Sequence, residues 1–106
     1  MDIKILAQEI KQHLNIHLDG NVSDIVFFGS QIKGNSKPDS DYDVLIVLKS
    51  NYNRKIKRLI NDLCYDFDLK YDIFLDTQII SENELKVGLR GKHPIFKTAL
   101  KEGLHA

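Results

Sequence analysis

The chain has 106 residues, 42% apolar and 28% charged, with 15 Lys plus Arg balancing 15 Asp plus Glu. That length suits a single domain, residues 1–106, able to bury roughly two-thirds of its unfolded surface without disulfides or a structural metal. Zero net charge excludes the broad basic footprint of a protein that lives on the nucleic-acid backbone, and no apolar run reaches the roughly 18 residues of a membrane span.

The opening MDIKILAQEIKQHL is interrupted by charges and lacks the pattern of a signal peptide. Apolar residues at Ile3, Leu6, Ala7, Ile10, Leu14 and Leu18 recur at steps of three and four, which predicts a helix from Ile3 to about Leu18. Asp2 can cap it and Gly20-Asn21 ends it. His13 and His17 stand four apart, a spacing open to metals, but without zinc-site context they read as solvent-edge histidines. Ser23 to Phe28 is a short, β-rich strand ending at Gly29. Gln31 to Ser40 is polar, with one Gly and one Pro, and reads as a loop.

Val44 to Leu48 is apolar at every position, as in a central strand buried on both sides. Tyr52 to Phe67 is the clearest amphipathic helix, its stripe made by Ile56, Leu59, Ile60, Leu63, Cys64 and Phe67. Arg54, Lys55, Lys57 and Arg58 lie on its outer face, expected to be solvated. The lone Cys64 argues against a disulfide framework and suits a reducing compartment, the cytoplasm. From Tyr71 to Asp76 the pattern alternates, with Tyr71, Ile73 and Leu75 on one face and Asp72, Phe74 and Asp76 on the other, which predicts a strand. Ser81-Glu82-Asn83-Glu84 has the form of a capping box for a short helix to about Val87. Pro94 opens a last helix that Gly103 stops, and His93 and His105 read as surface or cap residues. The expected fold is α+β: a small two-layer domain, a three-stranded mixed sheet with helices packed on one face.

Chemistry concentrates between the first two strands, in FFGSQIKGNSKPDSDYD. In an extended segment Asp41 and Asp43 point the same way, roughly 6.6 Å apart at about 3.3 Å per residue, with Tyr42 opposed. Their carboxylates can converge on one cation or bracket two. Oxygen donors without His or Cys suit Mg²⁺, or Mn²⁺, and magnesium sites commonly complete themselves with substrate phosphates. Gly29 lets the backbone approach a ligand, and the amides after it, with the Ser30 hydroxyl, can cradle phosphate. Lys33 adds positive charge and Gly34 lets the loop fold back; the order Lys33-Gly34 is not that of a P-loop.

Gly29-Ser30-x-x-x-Gly34, then Ser40-Asp41-x-Asp43, resembles the signature of the nucleotidyltransferases related to DNA polymerase beta, in their minimal form. The resemblance implies that Asp41 and Asp43 bind catalytic metals, with a third carboxylate from a later strand, which Asp72 matches and for which Asp76 competes. It implies nucleotide binding by Gly29, Ser30, Lys33, Gly34 and Ser40, with Gln31 standing where small relatives often carry arginine. The activity it implies is transfer of AMP from ATP to a hydroxyl, such as a Tyr of a small helical partner toxin, with a homodimer as the other way to complete the cleft. A non-catalytic antitoxin that acts by stoichiometric complex formation is the alternative. Membrane and nucleic acid are not expected partners.

Overall fold

A computed structural model describes residues 2–29, 41–88 and 92–106. Helix α1 (Ile3–His17) begins where the Asp2 carboxylate accepts from the amides of Lys4 and Ile5, and it buries Leu6, Ala7, Ile10 and Leu14. Strands β1 (Val22–Phe28) and β2 (Tyr42–Leu48) pair antiparallel, with Phe28 opposite Asp43. Helix α2 (Arg54–Tyr71) is capped by the Asn53 side chain, which accepts from the Ile56 amide at 2.9 Å. Tyr52, expected inside this helix, precedes it and donates its hydroxyl to the Ile79 carbonyl of the neighbouring strand at 3.0 Å. That strand, β3 (Leu75–Ser81), runs parallel to β2, with Asp76 beside Asp43.

The predicted strand from Tyr71 to Asp76 is therefore corrected at its beginning. Tyr71 lies one helical turn beyond Phe67, and their rings stack at 6.4 Å, so the apolar stripe of α2 continues through it. Asp72 then ends the helix in the left-handed region at φ 52°, a conformation that Asp tolerates better than most residues. The amide of Ile73 returns to the Asp68 carbonyl at 3.1 Å, and only from Leu75 is the chain a strand. Asp72 is thus a helix cap and not a strand residue.

After β3, Ser81 and Glu84 exchange backbone and side-chain hydrogen bonds as a capping box and start α3 (Glu82–Val87). Helix α4 (Pro94–Glu102) is capped by the His93 ring, which accepts from the Ile95 amide. A short strand β4 (Leu104–His105) follows Gly103 and pairs antiparallel with β1. The sheet is four-stranded, ordered β3-β2-β1-β4, and not three-stranded. A two-residue strand carries no periodicity to be read in a sequence. What commits it is the corner at Gly103, where a Cβ would overlap the Ala99 carbonyl and a Val26 methyl.

The expectation of helices on one face is corrected as well. Ile25, Phe27, Val44, Ile46, Leu48 and Ile79 pack with α1 and α2 on one side of the sheet. On the opposite side Val26, Leu45, Val47 and Ile80 pack with Phe96 and Ala99 of α4, flanked by Leu85 and Leu100. Alternating side chains of the same strands feed both cores, and the sheet is sandwiched. Cys64 is a buried core thiol, pushed up to about 12 by burial and the nearby Asp68 and Asp66, and is inert at neutral pH.

His105 fastens β4. Its Nδ1 lies 2.5 Å from Asp24 Oδ2 on β1 and its Nε2 lies 2.9 Å from the Leu100 carbonyl. Both partners are acceptors, so the fully bonded ring is the imidazolium, and the Asp24 contact raises the His105 pKa above its ordinary value. A raised folded-state pKa gives stability that is complete below the unfolded value and fades as pH rises through the folded one. The melting temperature of wild type should therefore exceed that of His105→Ala by more at about pH 5.5 than at about pH 9. A pH-independent gap would mean that only packing is lost.

Candidate active site

The order of the strands decides which side chains meet. Asp43 stands near the start of β2, flanked by Phe28 on β1 and Asp76 on β3. Tyr42 turns to the α1/α2 core, where its ring meets Phe27 edge-on at 6.2 Å, so its neighbours Asp41 and Asp43 belong to the other face. On β3, Leu75 and Ile79 are in the α1/α2 core and Ile80 is in the other, which puts Asp76 on the face of Asp43. Helix α4 covers this face further along the strands, over Val26, Leu45, Val47 and Ile80. Among the described residues no helix covers the sheet around Asp43, which is half-buried, while Asp41 and Asp76 are exposed.

Electrostatics agree with this placement. The Asp43 carboxyl is raised above the usual range, first by burial, then by the charges of Asp76 and Asp41, and by a hydrogen-bonding contact with Asp76. Asp72, at the end of α2, is not among the groups that act on it. The geometry therefore gathers Asp41, Asp43 and Asp76, and leaves Asp72 outside the strand register.

Gly29 closes the other flank. It leaves β1 at φ 89°, and a Cβ built on it would overlap Asp43 Oδ2. The carboxylate occupies the space of the missing side chain, so the backbone after β1 comes directly against Asp43. Ser30, Gln31, Lys33, Gly34 and Ser40 lie outside the described residues.

Among the described residues no group of three or more His, Cys, Asp or Glu side chains is arranged as a ready metal cage. A hard cation that keeps water and takes oxygens from its substrate does not require one. Asp43 with Asp76, and Asp41 beside them, is the donor chemistry that such an ion takes, and two like charges held together gain most from it. The histidines are elsewhere. His13 bonds Asp66 at 3.3 Å between α1 and α2, with the His17 ring edge-on at 5.0 Å, as solvent-edge residues.

A mixed sheet carries clustered carboxylates at one end, with a glycine turn pressed against them, an arrangement suited to a hard cation and phosphate. Residues 3–103 match the family model described as a nucleotidyltransferase domain, and the chain belongs to that family. It is 31% identical, over 86 residues, to a protein of Methanocaldococcus jannaschii whose name designates it, provisionally, a protein adenylyltransferase; the match covers 81% of this chain and 86% of that one. No solved structure matches the chain.

Asp72 and Asp76 stand as alternatives in the sequence, and the signal that puts only Asp76 on the strand is there too. Tyr71 continues the stripe of α2, so the strand begins late and its first acidic position is Asp76.

Proposed function

We propose that this nucleotidyltransferase moves AMP from ATP to a hydroxyl of a second protein, using Asp41, Asp43 and Asp76. The reading rests above all on the parallel register that sets Asp43 beside Asp76, with Asp41 and Asp76 exposed. The name of the archaeal relative supports a protein as acceptor. The resemblance of the motif supports ATP as donor, and a Tyr of a small helical partner toxin as the accepting residue.

Mg²⁺, held by these carboxylates with the nucleotide phosphates completing its shell, would make the acceptor hydroxyl more acidic and neutralise charge developing on the leaving group. The acceptor oxygen forms a bond to the α-phosphorus. The bond from that phosphorus to the oxygen bridging to the β-phosphate breaks, and pyrophosphate departs with the electron pair. Asp76, exposed and adjacent, accepts the hydroxyl proton. Gly29 admits the nucleotide phosphates against Asp43. Among the described residues no helix is long and apolar enough to cross a membrane.

ATP labelled on its α-phosphate, incubated with the protein, Mg²⁺ and a helical protein encoded beside it, should yield labelled partner and pyrophosphate. Chelation should abolish the label, as should joint replacement Asp41→Asn and Asp43→Asn. Neutralisation of the partner that is undiminished by that double replacement, without transfer, would instead identify a stoichiometric binder.

A further inference from the structure

The ladder between β2 and β3 runs one residue past the start of β3. The Tyr42 amide donates to the Phe74 carbonyl at 2.9 Å, which sets Phe74 beside Asp41 just as Asp76 stands beside Asp43. Ile73 and Leu75, on either side of it, both pack into the α1/α2 core. Phe74 is therefore turned to the face of the carboxylates, and it is 58% exposed. Ile5, Ile16, Tyr65 and Leu69 are exposed too, but they ride on α1 and α2, across the sheet from the site. Val87 and Ile95 are exposed on α3 and α4, whereas Phe74 stands in the strand register next to Asp41 and borders the acidic cluster.

Its side of the cluster has a meaning. The strand order β3-β2-β1 puts Gly29, at the end of β1, and Phe74, before β3, on opposite flanks of Asp41 and Asp43. Phosphates that enter over Gly29 leave the Phe74 flank to the incoming hydroxyl. We propose that Phe74 is the acceptor-side wall of the site, and that it favours a hydroxyl carried on a flat aromatic group over one on a short aliphatic chain. The inference rests on the nucleotidyl-transfer reading above. Offset or edge-on packing of a second ring against Phe74 would hold that hydroxyl over Asp41 and Asp76.

The test uses N-acetyltyrosinamide and N-acetylserinamide as acceptor probes with labelled ATP and Mg²⁺. Wild type should prefer the tyrosine probe in kcat/KM, and Phe74→Ala should lower that preference about fivefold, with the KM for ATP unchanged and Phe74→Trp restoring it. A preference that survives Phe74→Ala overturns the proposal. So does a rise in the KM for ATP with acceptor discrimination intact, which would make the ring a nucleobase platform. Wild type that transfers to neither probe would count against the transfer reading, and the wall is then decided by binding. Amide resonances of Tyr42 and Leu75 that move on titration with N-acetyltyrosinamide, and do not move in Phe74→Ala, uphold it; resonances that stay still in wild type overturn it.

Discussion

Asp76→Asn should lower kcat/KM for nucleotidyl transfer about a thousandfold, equivalent to about 4 kcal/mol of transition-state stabilisation, while Asp72→Asn stays within about twofold of wild type. The two residues separate because they stand in different places, Asp76 in the strand register and Asp72 at a helix end. Asp76 sits in register with Asp43 and is the first of the neighbouring charges that raise the Asp43 carboxyl. Under the proposed reading, removing its charge would take away both a metal ligand and the proton acceptor. Asp72 terminates α2 in the left-handed region, where Asn is as well tolerated as Asp, so neither fold nor site should suffer. The comparison is read from initial rates of label transfer at matched protein folding. A larger loss at Asp72 than at Asp76 would put the third carboxylate on the helix cap.

The second large effect is expected at Gly29. Alanine there must hold a positive φ, at a cost of about 1–2 kcal/mol. Its Cβ would also overlap Asp43 Oδ2, so either the carboxylate swings aside or the end of β1 moves. A displacement of about 1 Å in a catalytic group costs on the order of a hundredfold in kcat. Gly29→Ala should therefore lose about that much activity at temperatures where thermal melting shows it still folded. Full activity with lowered stability would reduce Gly29 to a turn residue.

Much of the fold is legible where one periodicity runs unbroken. The stripes of α1 and of the central part of α2 are continuous, and the capping box at Ser81 closes as its spacing indicates. Legibility fails where two periods abut. Tyr71, Ile73 and Leu75 all point inward, but from a helix end, a cap turn and a strand, and together they imitate a period of two. That imitation is what carried Asp72 into a strand.

The sheet's second covering shows a different failure. Val44 to Leu48, apolar at every position, already required both faces to be buried, and Val47 and Leu45 do pack against the α4 side. Asp72 and Asp76, read on one strand face, favoured helices on one side only; among the described residues α4 covers that face away from Asp41, Asp43 and Asp76. The local apolar run was the better guide, because burying five successive residues needs two cores. β4 was out of reach, since its register depends on contacts of Gly103 and His105 that no local pattern announces.

That Asp41 and Asp43 share one face was legible for a simpler reason. Charges at the mouth of a buried strand are costly unless paired with a cation, and their spacing alone puts both on one face. What the sequence leaves open is the partner carboxylate, because strand order and register are tertiary facts. The most direct measurement is a crystal structure of the protein with Mg²⁺ and a non-hydrolysable ATP analogue. The expected result is a metal between Asp43 and Asp76, with the α-phosphate beside it and the triphosphate running over Gly29. A nucleotide bound away from this sheet end, or a metal taken by Asp72 in place of Asp76, would contradict the assignment of the site.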